Sequence, residues 1–163
     1  MELKKHFDWR KAFWAFYAGL FLIYIVVGLQ PVRAVDYEII GTIKIPSINL
    51  ISDVTGLQLE EHRLNTPDSI VGSFSKAKNK TLLIGHSTTV FQDLEEIKLK
   101  DTIEYNAKTY RVYKIETKAK QNINMSDLLE TSSNDTVVLM TCAGELLGNG
   151  DATHRLIITA VED

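Results

Sequence analysis

Cysteine occurs once in this chain of 163 residues, at Cys142, so no internal disulfide can form. Proline occurs three times and glycine nine, which excludes collagen-like and Pro/Gly-rich disordered chains. The usual signatures of metal sites are also missing. There is no HExxH, no cysteine pair and no EF-hand loop, and the histidines stand apart at 6, 62, 86 and 154. Acids and Asn are plentiful, but no spacing marks a calcium site; no cofactor is expected, and calcium activation stays open. "GELLGNG" lacks the Lys and the following helix of a phosphate loop. The formal net charge is −3, and no Lys/Arg run interleaves with aromatics, so no nucleic-acid partner is expected.

One long apolar run is present. Residues 12–29, "AFWAFYAGLFLIYIVVGL", carry no charge. As a helix they would span ~27 Å, close to the thickness of a hydrocarbon core. Trp9, Phe13, Trp14, Phe16 and Tyr17 gather toward one end, as an interfacial aromatic belt does. Lys4, Lys5, Arg10 and Lys11 precede the run, and Arg33 is the lone early base after it. The positive-inside rule then puts the N-terminus in the cytoplasm and the remainder outside. A buried core helix would show a polar face, and none exists. A signal peptide cleaved near Val32-Arg33-Ala34 would need a shorter run and no Arg in the site. The expected layout is a cytoplasmic tail (1–11), an uncleaved single-pass anchor (12–29), a linker (30–38) and an extracytoplasmic domain (39–163).

That domain reads as strands. "YEIIGTIKIP" is a β-branched strand stopped by Pro46, and "INLISDVT" is a second. "LQLEEHRLN" has helical spacing at Leu57, Leu59 and Leu64, which predicts a one- or two-turn helix. "SIVGSFS" is a strand, "KAKNK" a basic turn, and "TLLIGH" an apolar strand ending on His86. "TTVFQDLEEI" is a short helix or turn. Residues 101–121 predict a hairpin turning at Asn106-Ala107, with Tyr110, Val112 and Lys114 on one side. "MSDLLE" is a helical turn capped by Asn124 or Ser126. "TVVLMTC" and "HRLIITAVE" are the last two strands. About eight short strands with brief helices between them suggest a sandwich or a closed barrel.

The location sharpens the question of the lone cysteine. Most free cysteines are packing, but an unpaired thiol outside the membrane is either buried and inert or reactive. "TVVLMTC" is apolar on both faces, a rigid platform, and the small "CAGELLGNG" after it would leave the sulfur at a rim. A thiol needs a partner to become a thiolate, and a leaving amine needs a proton. His86 closes another apolar strand in the same manner. His62 lies among Glu60, Glu61 and Arg63 and reads as solvated, and His6 falls on the cytoplasmic side. His154 and Arg155 open the last strand, pointing to opposite faces, so only one of them can face the sulfur. Arg155 is either an ordinary snorkelling strand-end residue or a permanent cation that favours the thiolate and donates to an oxyanion. If the last two strands form a hairpin, Cys142 and Arg155 are neighbours across a loop from Gly144 to His154.

The pattern resembles the sortases, cysteine transpeptidases of bacterial cell surfaces. "GTIKIPSINL" is similar to their opening strands and "TLLIGHS" to their histidine strand. "DTIEYNAKTYRVYKI" is similar to their hairpin, "VLMTC" to their TLxTC motif and "THRLIITA" to their arginine strand. The resemblance covers essentially the whole exported part. It implies an all-β fold, a closed eight-stranded barrel with short helices behind one N-terminal transmembrane helix. It implies catalytic roles for His86, Cys142 and Arg155, and so chooses Arg155 over His154. Thr141, Ala143 and Ser87, beside these, are expected to bind substrate. The implied partners are exported proteins bearing a C-terminal LPxTG-like sorting signal, an acceptor amine (a cell-wall precursor or a pilin lysine) and the membrane.

Val138 replaces the first Thr of TLxTC, at the loss of a hydrogen bond. No Asp-Pro-aromatic lid motif and no C-terminal span are seen, which argues against the pilus-polymerising class and for a class A-, D- or E-like member. Two other readings stay open: a different envelope thiol acyl-transferase, and a membrane-tethered barrel module without activity.

Overall fold

The structure is a computed structural model that describes residues 36–60, 63–148 and 151–163, together with 9, 13, 14, 16–19 and 21. The chain divides into two compact units, Met1–Asp36 and Tyr37–Asp163. In the first, the described residues before Asp36 are helical, with Trp9, Phe13, Trp14, Phe16, Tyr17 and Phe21 exposed. Most of the expected anchor and linker lies outside the described residues. Among those described, no helix is long and apolar enough to cross a membrane.

The second unit is a closed β-barrel. Its ten strands are β1 (Ile39–Ile45), β2 (Leu50–Gly56), β3 (Leu59–Glu60), β4 (Arg63–Leu64), β5 (Val71–Ala77), β6 (Lys80–Ile84), β7 (Thr102–Tyr105), β8 (Lys108–Ala119), β9 (Thr136–Leu146) and β10 (Ala152–Glu162). Eight of them close in the order β1-β2-β5-β6-β9-β10-β8-β7, while β3 and β4 form a separate two-stranded ribbon. Two pairings, β2–β5 and β6–β9, are parallel and the rest antiparallel. Each of the eight expected strands corresponds to a barrel strand.

Turn chemistry sets the corners. Pro46 opens a 3-10 turn that ends on left-handed Asn49 before β2. Asn106 and Ala107, at φ 48° and 63°, make the tight β7–β8 hairpin turn. Between β8 and β9 sits one short helix, α1 (Met125–Leu129), capped by the Asn124 side chain, which accepts from the Ser126 amide.

Three expectations fail here. The helix over 57–65 is instead the β3–β4 ribbon as far as it is described. The Leu57 amide donates to the Ser73 carbonyl of β5 at 2.7 Å, which draws the backbone out along the sheet, and Leu59 is exposed. Lys114 does not share a face with Tyr110 and Val112. The pairing jumps from Thr159–Lys114 to Ala160–Val112, so Tyr113 is a bulge residue, Lys114 turns outward and Ile115 takes up the core phase. Finally, β9 does not stop at Cys142 but runs to Leu146.

The barrel interior holds the main core: Ile43, Ile45, Val54, Val71, Leu83, Phe91, Leu139, Leu156 and Ile158 are essentially fully buried. A smaller cluster, Leu82, Val138 and Ile157, is buried together with Ile84, Met140, Leu128 and Leu129. It uses the alternate residues of β6, β9 and β10, and the α1 leucines join it, so these strands are apolar on both faces.

Candidate active site

The second cluster positions the candidate residues. On the face it defines, Leu82 pairs with Val138 and Ile84 with Met140 across the parallel β6–β9 ladder. Across β9–β10, Met140 pairs with Ile157 and Cys142 with Arg155. One two-residue step beyond the rung Ile84–Met140–Ile157 leads to His86, Cys142 and Arg155. Strand alternation thus puts thiol and guanidinium side by side one step beyond the apolar Met140–Ile157 pair, while His86 follows Ile84 by two residues, past the last pairing of β6 with β9.

His86 lies two residues past the end of β6 rather than on its last position. The ladder nevertheless holds it. The Gly85 amide donates to the Met140 carbonyl at 3.3 Å, and the Thr141 hydroxyl donates to the Gly85 carbonyl at 2.8 Å. Gly85 is required by close approach: a Cβ there would meet Val90 and Phe91 carbons at 2.6 and 2.7 Å. His86 Nε2 is 3.3 Å from the Thr66 carbonyl oxygen and 3.7 Å from an Asp68 carboxylate oxygen. A carbonyl only accepts, so Nε2 carries the proton in this pairing, and Nδ1 is the available nitrogen of the neutral ring.

Cys142 is half-buried. The strand continues past it through a bulge: the register moves from His154–Ala143 to Ala152–Leu146, three residues on β9 against two on β10. Gly144, at φ 76°, takes the left-handed conformation this requires. The Glu145 amide donates to the Thr153 hydroxyl at 3.1 Å, extending the pairing. The connection is thus the short stretch 147–151 rather than a loop from Gly144 to His154.

Arg155 is well sheltered, its side chain 14% exposed. Nη1 donates to the carbonyls of Ala152 and His154 at 3.0 and 2.9 Å, and Nη2 to Asp151 Oδ1 at 2.6 Å. Asp151 also accepts from Lys120. Lys120 and Arg155 together hold its carboxyl well below the usual carboxylate range. His154 takes the opposite strand phase, that of Leu156 and Ile158, and its Nδ1 is 2.8 Å from the Thr153 hydroxyl.

Of the flanking residues, Thr141 is buried with its hydroxyl on Gly85, Ala143 is buried in the main core, and Ser87 is half-buried at the start of the turn after His86. A separate cavity of about 350 Å³ lies between the β1–β2 turn and the turn at 89–93, and none of His86, Cys142 and Arg155 lines it. Among the described residues, no three His, Cys, Asp or Glu side chains converge as a metal site.

Sequence reasoning missed Thr66, Asp68, Gly85, Lys120 and Asp151. All but Gly85 come from segments outside the motif strands. The only local signal was an acid four residues before Arg155.

The comparisons agree with this architecture. Sortase A from Corynebacterium diphtheriae, a lid mutant, superposes with a TM-score of 0.61 at 22% identity, over 83% of this chain and 75% of that one. Sortase C-1 from Actinomyces oris gives 0.59 at 24% identity, over 79% and 74%. Sortase A from Listeria monocytogenes gives 0.60 at 16% identity, over 77% and 87%. At these identities the likeness is one of fold, and it spans types A and C alike. No curated protein matches the chain. The Sortase domain family model matches residues 43–163, which is the barrel from within β1 to the end of the chain, and the chain therefore belongs to the sortase family of cysteine transpeptidases.

Proposed function

We propose that this sortase cleaves an LPxTG-like signal of exported proteins at Cys142 and transfers the acyl group to a cell-surface amine. The observation that carries the reading is the Cys142–Arg155 pair one step beyond Met140–Ile157, with His86 two residues past Ile84, the pairing partner of Met140. The Cys142 thiol gives its proton to His86 Nδ1, and the resulting thiolate attacks the Thr carbonyl of the signal, moving the electron pair onto its oxygen. Arg155 and nearby backbone amides stabilise that oxyanion. As the oxyanion collapses, the Thr–Gly bond breaks, and His86 gives a proton from Nδ1 to the departing amine. A thioester remains. An acceptor amine then attacks it, His86 takes the proton back, and the thiolate leaves. Water in place of the amine gives slow hydrolysis.

Thr141 fits a role of fixing the histidine loop through Gly85 more than one of touching substrate. Ala143 and Ser87 are left as neighbours of the reacting groups. The reading includes an extracytoplasmic barrel tethered by 12–29, which would confine enzyme, substrate and lipid-linked amine to one surface and raise their effective concentrations.

The test is acyl-enzyme trapping with a library of signal peptides, followed by mass spectrometry. A thioester adduct on Cys142 identifies nucleophile and signal together. Cys142→Ala should abolish transfer to an amine while the domain stays folded; full activity in that variant ends the reading.

A further inference from the structure

Arg155 is not simply a cation near sulfur. Its guanidinium has five N–H groups. Two on Nη1 go to the Ala152 and His154 carbonyls, and one on Nη2 goes to Asp151. Asp151 is itself firmly set. Its backbone carbonyl accepts from the Leu147 amide at 2.6 Å, closing the hairpin, and its Oδ1 also accepts from the Ala152 amide at 2.8 Å. Its other carboxylate oxygen, Oδ2, accepts from Lys120, in the 3-10 turn after β8. β8 is paired with β10 here, His154 facing Ala119, so Lys120 comes from the strand on the far side of β10 from Cys142.

We propose that Asp151 is a positioning residue for Arg155. It fixes the guanidinium through one Nη2–H and leaves Nε–H and the second Nη2–H for the oxyanion beside Cys142. Lys120 completes the device in two ways. It occupies Oδ2, so the carboxylate cannot swing away, and it balances the acid's charge. Lys120, Asp151 and Arg155 sum to one positive charge, so Arg155 keeps its attraction for a thiolate and an oxyanion. The three residues come from two strand ends and act on the reaction only through Arg155. The inference rests on reading Arg155 as the oxyanion's partner.

The experiment uses the full chain, a fluorogenic LPxTG-type peptide and glycine amide as acceptor. Asp151→Asn should lower kcat about 10- to 100-fold with KM changed less than about threefold, since the loss lies in orientation of a group used in the transition state. Asp151→Glu should recover most of that loss, and Lys120→Met should cost about threefold to tenfold in kcat. A purely structural role would lower the melting temperature and give no recovery of kcat by Glu. Wild-type kcat in Asp151→Asn, or a kcat higher than wild type (Asp151 acting as a latch), overturns the proposal. If Arg155→Ala is inactive while Asp151→Asn is unimpaired, this inference alone fails. If the unaltered chain forms no thioester on Cys142, the functional reading fails and the inference falls with it.

Discussion

At Arg155, shape matters as much as charge. The planar fork reaches two carbonyls and one carboxylate at once. A lysine would keep the charge and lose the fork. Arg155→Lys should therefore reduce kcat by about 10²-fold or more, measured with saturating signal peptide. Thr141 is a second residue with a definable task, since its buried hydroxyl ties the cysteine strand to the Gly85 carbonyl. Thr141→Val keeps the shape and orphans that carbonyl. It should cost about 1–2 kcal/mol in denaturant unfolding and lower kcat by loosening His86. Of these groups, Cys142 and His86 were legible in the chain because each closes an apolar run of sequence, and Arg155 was chosen over His154 by the family resemblance. Thr66, Asp68, Lys120 and Asp151 were not legible. Each becomes a neighbour of the site only through a turn or connection whose path the local sequence does not specify.

At the level of elements, the β9–β10 hairpin is the decisive unit. The sequence reading ended β9 at Cys142 because small residues follow. In the fold, Gly144 supplies a bulge and pairing resumes as far as Leu146. The thiol therefore stands within a paired strand, held on both sides. Gly144→Ala would force a Cβ to 2.7 Å from Thr153 Oγ1 and 2.8 Å from His154 Nδ1, on top of its positive φ. It should destabilise the domain by about 1–2 kcal/mol or more, read from denaturant midpoints. It should also slow acylation of Cys142. The 57–65 segment shows the converse error. Its leucine spacing suits a helix, yet a bond from Leu57 to the edge of β5 fixes an extended path. Such short apolar patterns are ambiguous until a sheet edge is available to compete for the backbone.

For the whole molecule, pH dependence follows from groups far from the thiol. Burial pushes the Tyr110 phenol up to about 12. Its folded pKa is raised, so the native state binds this proton more tightly than the unfolded chain. Its contribution is complete below the unfolded value near 10 and is lost as pH climbs toward about 12. Asp135 and Glu162 raise the Lys108 ammonium as well, which acts in the same direction. Melting temperature should thus fall at strongly alkaline pH, and Tyr110→Phe should make that fall shallower without abolishing it. At the acid end, Asp151, Glu116 and Asp163 are lowered by their cationic partners. Their contributions are full above the unfolded carboxylate values and decline as pH drops through and below them. Melting followed by circular dichroism across the pH range checks both limbs.

By itself the sequence determined the all-β class, the number of barrel strands, the hairpin turn at Asn106-Ala107 and the three candidate reacting residues. These depend on alternation, turn chemistry and residue type, which are local or carried by motifs. Only the tertiary structure decided that β6, β9 and β10 lie side by side, that Cys142 pairs with Arg155, and that His86 follows the β6 residue paired with Met140 by two positions. It also decided the bulges at Tyr113 and Gly144 and the hold of Asp151 and Lys120 on Arg155. The reason is that closing a barrel sets register between strands distant in the chain, and register determines which side chains share a face.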